Sequence, residues 1–103
     1  MNIKQLSYLS EFTKSGSYKI AAQKFLVSEA IIKKSLFSLE NELGIKLVEC
    51  HDDSKVVPSF EALEIFPLVN DILINYQEFE EVVKFLSNSS FVKSNMMYEV
   101  GIL

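Results

Sequence analysis

The chain has 103 residues, 49% of them apolar, and a formal net charge of −4. This length predicts one domain, or one domain with an appended helix, and a core so small that burial against a partner subunit would help to stabilise it. The single cysteine, Cys50, excludes an intrachain disulfide and fits a reducing cytoplasm, and the sequence has neither a signal-peptide layout nor an apolar run long enough to cross a membrane.

Two helices are predicted at the start of the chain. In residues 2–14 apolar side chains recur every three or four positions, which is typical of an amphipathic helix. Gly16 is suited to end this helix, and Ser17 is suited to cap a second helix over residues 18–25. Two small residues on the second helix would let another helix approach closely: Ala21 and Ala22.

A third helix and a hairpin are predicted next. After a short turn at residues 26–28, Ser28 can cap a helix over residues 29–43, which Gly44 ends. The apolar stripe of this helix consists of Ile32, Leu36, Leu39 and Leu43. Residues 45–50 and 55–58 then form the two short strands of a β-hairpin with a four-residue tip.

The last long predicted element is a helix from residue 59 to about residue 86. Pro67 lies inside it and is expected to kink the helix or to occupy an early turn. A helix this long and apolar requires a partner helix, most simply its own copy. The predicted dimerisation residues recur at intervals of three and four: Leu63, Phe66, Val69, Ile72, Tyr76, Phe79, Val83 and Leu86.

The order of these elements is that of a winged helix-turn-helix. Two short helices are joined by a tight turn and followed by a hairpin, and in such a domain the N-terminus of the third helix enters the major groove of DNA. Small three-helix domains without a DNA partner share this pattern, so the pattern alone leaves DNA binding open.

The charge is unevenly distributed along the chain. Residues 1–58 carry eight lysines and seven acidic residues, whereas residues 59–103 carry two lysines and seven acidic residues. The acidity is therefore concentrated outside the predicted DNA-binding part, where a net charge of +1 still gives only a weak attraction for phosphates. Because the chain has no arginine, bidentate arginine contacts to guanine are excluded.

Several sequence motifs resemble the N-terminal part of LysR-type transcriptional regulators. Residues 1–6, MNIKQL, are similar to the start of the family, and the SGSY, AAQK and VS motifs within residues 15–28 resemble its SGSF..AAE.L.VS stretch. LENELGIKL in residues 39–47 resembles the LE.ELG..LF signature, and Pro67 falls where the family has a proline early in its linker helix. The resemblance covers about residues 1–90.

The resemblance implies a mainly α architecture, with a winged helix-turn-helix in residues 1–58 and a linker or dimerisation helix in residues 59–87. Residues 88–103 would form a linker and the start of an otherwise missing effector domain, which in the family binds a small inducer. The implied function is that of a cytoplasmic, sequence-specific DNA-binding regulator, without enzymatic activity, cofactor or metal. The expected partners are double-stranded DNA and a second copy bound through the long helix. Higher oligomers are left open, a membrane is not expected, and an inducer is expected only if a longer parent protein exists.

The expected DNA contacts lie on the second and third helices and on the hairpin. The third helix is the recognition helix by resemblance, and lysines would bind phosphates, Lys4 among them. The residues expected to contact DNA are Ser17, Lys19, Lys24, Ser28, Glu29, Ala30, Ile31, Lys33, Lys34 and Lys55.

The recognition helix departs from the family pattern, and its residues leave alternatives open. Glu29 replaces a glutamine and either accepts from cytosine N4 or stabilises the helix N-terminus through the helix dipole. Ile31 either contacts a thymine methyl or lies against neighbouring side chains. Lys33 and Lys34 either bind phosphates or remain solvated, and Phe37 is expected to pack on something rather than to contact DNA.

The predicted wing departs most, because three of residues 49–53 are acidic and Lys55 is its only basic residue. His51 is interpreted as a solvated loop residue rather than a pH switch. Residues 50–53 are not favoured as a metal site, since adjacent residues in a hairpin tip rarely point at one ion, and Cys50 has no placed base that would make it a nucleophile. The acidic wing, the missing arginines and the absent effector domain support an alternative function: a protein-interaction module with degraded DNA binding, paired with itself or with a full-length regulator.

Overall fold

The structure is a computed structural model that describes residues 1–52 and 55–88, without the side chains of His51 and Asp52. The strand expected at residues 98–102 lies outside the described residues. The chain divides into two compact units, unit 1 (Met1–Leu73) and unit 2 (Ile74–Leu103). The elements are α1 (Ile3–Ser15), α2 (Tyr18–Phe25), α3 (Glu29–Leu43), β1 (Val48–Asp52), β2 (Lys55–Pro58) and α4 (Phe60–Asn88).

The first three helices begin and end where local capping chemistry predicts. The side chains of Ser17 and Ser28 accept backbone N–H bonds of 3.1 and 3.3 Å at the N-termini of α2 and α3. Gly16 and Gly44 end α1 and α3 with φ values of 68° and 72°, in the left-handed region that glycine adopts without steric cost. The predicted caps and helix ends are confirmed, and only α1 is shifted by one residue.

The core of unit 1 is formed by α1, α2, α3, the residue before the hairpin and the first turns of α4. Phe12 is 0% exposed and stacks on Tyr18, with 4.9 Å between the ring centroids. The two alanines of α2 are buried, which allows the close helix approach expected of them. The other large side chains that are fully buried are Leu9, Ile32, Leu36, Leu39 and Leu47.

The first strand of the hairpin begins later than the sequence predicted. It starts at Val48 rather than at residue 45, and it pairs antiparallel with β2 in the register Val48 opposite Pro58. The physical reason is a competing acceptor: the carboxylate of Glu40 accepts the backbone N–H groups of Leu47 and Val48 at 2.7 and 3.1 Å. The strand also runs on to Asp52, into the predicted four-residue tip.

Replacing Glu40 by alanine should lower the free energy of unfolding by about 2 kcal/mol, because two backbone amides lose a charged acceptor. Urea unfolding followed by circular dichroism measures this change. Glu42→Ala is the matched control, since the Glu42 carboxylate is half exposed and pairs only with the N-terminal amine. That variant should lose less than about 1 kcal/mol. Equal losses in the two variants would contradict the role assigned to Glu40.

Ser59 joins the hairpin region to the start of α4. Its hydroxyl donates to the carbonyl of Lys46 at 2.6 Å and accepts the N–H of Ala62 at 2.9 Å. Its own N–H donates to the carbonyl of Leu47 at 3.0 Å. Ser59 is 0% exposed, so these three bonds form without competition from water. One buried serine therefore caps α4 and holds the chain that leads into β1.

Helix α4 differs from the prediction in two respects. It continues through Pro67 as one helix, so the proline neither ends it nor lies in its first turn. Val69, which the sequence pattern assigned to the dimerisation stripe, is 4% exposed and packs in the core of unit 1. Val69 is therefore covered by its own chain and is not accessible to a partner. Among the described residues, no helix combines the length and the apolar character needed to span a membrane.

Candidate nucleic-acid interface

Helix α3 presents one face to the core and the opposite face outward. Ile32, Leu36 and Leu39 are buried, whereas the residues between them are exposed. The exposed side of the first three turns carries Glu29, Ala30, Ile31, Lys33, Lys34, Phe37 and Ser38. This arrangement leaves the N-terminal part of α3 uncovered by the described chain, as the sequence pattern requires of a recognition helix.

The turn between α2 and α3 is built by an unusual leucine. Leu26 adopts φ 56°, making it the only non-glycine residue with a positive φ in the described part, and its N–H reaches the carbonyls of Ala22 and Gln23. Its side chain is 92% exposed. Nothing in the sequence pattern indicated a left-handed residue here, because leucine has no preference for that conformation.

Lys33 is held against an aromatic ring on the neighbouring helix. Its Nζ lies 5.4 Å from the centroid of the Tyr18 ring, within the range of a cation–π contact. Burial raises the pKa of the Tyr18 phenol above its ordinary value of 10.0, and the nearby charges of Cys50 and Glu40 raise it further. Tyr18 is therefore neutral at physiological pH, and its ring helps to fix the direction of Lys33.

The lysine of α2 that was expected to bind phosphate already has an acidic partner. The Nζ of Lys24 lies 2.9 Å from the carboxylate of Glu11 on α1 and 5.9 Å from the centroid of the Phe25 ring. Because a neutralised cation releases fewer counterions from DNA, Lys24 contributes less to phosphate binding than the exposed lysines of α3. The sequence gave no sign of this pair, because α1 and α2 meet only in the fold.

An open groove of about 810 Å³ lies between the start of α2, α3 and the hairpin. Five of the residues expected to contact DNA line it: Ser17, Lys19, Glu29, Lys33 and Lys55. Lys46 and Phe37 also line the groove, although the sequence analysis did not place them in the site. With four lysines against the two glutamates Glu29 and Glu40, the groove attracts anions even though the whole chain is acidic.

The remaining expected contacts lie outside this groove. Ser28, Ala30, Ile31 and Lys34 are exposed at the outward side of α3, and Lys24 is exposed on α2. Phe37 corrects an expectation, because it is 64% exposed and does not pack against the described chain as predicted. Ile31 is 47% exposed, so neighbouring side chains cover only half of it.

The structure provides no metal site among the side chains that it describes. Histidine, cysteine and acidic groups nowhere cluster in a set of three or more that fits an ion. Of residues 50–53, only Cys50 has a described side chain, and it is exposed. Glu29 lies in the first turn of α3, where a negative charge stabilises the helix N-terminus.

The fold is that of the winged-helix DNA-binding domains of LysR-type regulators, as the sequence predicted. The chain is similar to the BenM DNA-binding domain in a complex with catB site 1 DNA, with a TM-score of 0.76 and 22% identity over 86% of this chain and 98% of that chain. It is similar to the CbnR DNA-binding domain in a DNA complex, with a TM-score of 0.74 and 20% identity over 85% of this chain and 100% of that chain.

The third similar structure is a much longer protein. It is a full-length OxyR variant from Pseudomonas aeruginosa, with a TM-score of 0.77 and 23% identity over 85% of this chain, but only 30% of that chain. The chain thus spans less than a third of this OxyR. No protein-family model and no curated protein sequence matches the chain. At these identities the likeness establishes the shared fold.

Proposed function

We propose that the chain binds double-stranded DNA sequence-specifically, as a dimer, and regulates transcription rather than catalysing a reaction. The observation that carries this proposal is the exposed N-terminal part of α3, which presents Lys33 and Lys34 while the opposite face of the helix is locked in the core. Two structures with the same fold, those of BenM and CbnR, were solved as DNA complexes, which supports the proposal.

In the proposed complex, α3 lies in the major groove and the lysine-lined groove of unit 1 faces one DNA strand. Ser28, Glu29, Ala30 and Lys33 meet base edges, because they lie at the N-terminal end of α3. Lys19 and Lys55 flank the same groove from α2 and from β2 and bind phosphates on either side. Lys46 joins them as a further phosphate contact.

Binding should depend steeply on salt. Six lysine–phosphate contacts would release enough counterions to give log K against log salt concentration a slope of about −5. Fluorescence anisotropy with a duplex selected by the protein from a random pool measures this slope between about 50 and 200 mM salt. An affinity that is independent of salt, or no retention of any duplex at low salt, would contradict the proposal.

The proposed dimer rests on the apolar side chains of α4 that the described chain leaves uncovered. In unit 2, Tyr76, Phe79 and Val83 are exposed at helical spacing, and Phe79 is 63% exposed. Exposed aromatic and branched side chains in such density mark an interface, and a second copy supplies the same apolar face. Leu63, Phe66, Ile72 and Leu86 remain proposed members of this interface.

Replacing Phe79 and Val83 together by glutamate should convert the dimer into a monomer, because two charges would be buried without partners. Sedimentation equilibrium measures the change as a halving of the mass. Gln77→Glu is the control, since residue 77 lies on the other side of the helix from residue 79 and is already exposed and polar. A wild-type chain that sediments as a monomer at micromolar concentration would remove the dimer from the proposal.

A second function is supported by charge: the chain has no arginine, and residues 59–103 are acidic. In this alternative the chain is a protein-interaction module that pairs through α4 with itself or with a full-length regulator. Co-expression with a full-length LysR-type regulator distinguishes the two functions. A mixed dimer without DNA binding by the chain alone supports the alternative, whereas DNA binding by the chain alone supports the first proposal.

A further inference from the structure

We propose that α3 recognises thymine methyl groups through Ile31 and Phe37, so that the DNA sites of this protein carry thymines opposite these two side chains. The inference rests on the proposed DNA binding and names the sequence class that the binding prefers. It addresses two side chains whose exposure nothing in the core or in the hairpin explains.

The exposure of the two side chains is the first step. Ile31 is 47% exposed and Phe37 is 64% exposed, both on the outward side of a helix whose other face is fully packed. Large apolar side chains on a surface that must meet a polar duplex are stabilising only where they find an apolar group. The core already contains Ile32 and Leu36 on the opposite face, so Ile31 and Phe37 are not needed for folding.

The polar inventory of α3 is the second step. Residues 29–38 contain no arginine, asparagine or glutamine, the residue types that form bidentate bonds to guanine or adenine. Hydrogen-bonded reading in this stretch is left to Glu29, to Lys33 and Lys34, and to serine hydroxyls. Apolar contacts must therefore carry a large part of any sequence preference, and the C5-methyl of thymine is the apolar group that the major groove offers.

The geometry of the helix places both side chains within reach of one groove. Ile31, Lys34 and Phe37 follow one another at intervals of three residues, which makes them neighbours along one ridge of α3. Six residues of helix rise by about 9 Å, comparable to two or three base pairs at about 3.4 Å each. The two apolar side chains thus meet different base pairs, and Lys34 lies between them, where its positive charge favours the approach of the duplex.

Uracil substitution tests this inference, because it removes only the methyl group and keeps every hydrogen-bonding group of the base. The probe is the duplex that the protein selects from a random pool, with each thymine replaced by uracil in turn, and anisotropy at fixed salt measures the affinity. Loss of one facing methyl should weaken binding about fourfold. At one position the effect should disappear in Ile31→Ala, and at another it should disappear in Phe37→Ala.

Leu68→Ala is the control, because Leu68 is another exposed apolar residue, on α4 rather than on α3. It should leave the ratio of thymine to uracil affinities unchanged at every position. Tight binding that is insensitive to all uracil substitutions, or equally sensitive in the two α3 variants, overturns the inference and leaves the proposed DNA binding intact. Failure to bind any duplex at low salt overturns the proposed function itself, and the inference with it.

Discussion

Reversing the charges of Lys33 and Lys34 together should weaken binding to a selected DNA duplex by about a hundredfold or more at about 0.1 M salt. Both lysines are exposed on the outward side of α3, and Lys33 is directed by its contact with the ring of Tyr18. Replacement by glutamate removes two attractive contacts and places two negative charges against the phosphate backbone. The salt slope should fall in magnitude at the same time, because fewer counterions are released.

The control for this variant changes the net charge by the same amount at distant sites. Lys14 ends α1 and Lys84 lies on α4, and neither lines the groove between α2, α3 and the hairpin. Lys14→Glu combined with Lys84→Glu should therefore alter the affinity much less than the α3 pair. If both pairs weaken binding equally, only the overall charge matters and α3 has no special role as a recognition helix.

Replacing Phe12 by alanine should destabilise the protein by about 3–5 kcal/mol, which is comparable to the whole stability of a small domain. Phe12 is fully buried in unit 1 and stacks on Tyr18, so the substitution removes aromatic contacts and leaves a cavity between α1 and α2. Tyr18 in turn supports Lys33, and residual folded protein should also bind DNA more weakly. Thermal and urea unfolding measure the loss of stability.

Phe37→Ala is the matched control, since it removes the same side chain from an exposed position on α3. Its free energy of unfolding should stay within about 0.5 kcal/mol of the wild-type value. A large destabilisation by Phe37→Ala would mean that this phenylalanine packs in the folded protein, and the thymine-methyl inference would lose its basis.

The order and limits of the helices could be predicted from the sequence because short-range chemistry sets them. Ser17, Ser28 and Gly44 act within one helical turn of their own position, so the residue type is a sufficient signal. The start of β1 could not be predicted in this way. It depends on Glu40, which lies seven residues before Leu47 and takes the amide that a longer strand would have used.

The candidate site was predictable in outline but not in detail. Helical spacing identifies an apolar face, but it does not say whether the same chain or a partner covers that face. Val69 and Ile72 belong to one stripe, yet Val69 is buried in the core and Ile72 is exposed. The same limit applies to Phe37, whose exposure depends on where the hairpin lies, and to Lys24, whose pairing with Glu11 requires two helices to meet.

The three bonds of Ser59 have a mechanical consequence for unit 1. They tie the backbone that enters β1 to the opening turn of α4 through a single buried side chain. A rotation imposed on that opening turn would break those bonds unless the hairpin rotated with it. The hairpin and the root of α4 are therefore expected to tilt as one rigid lever.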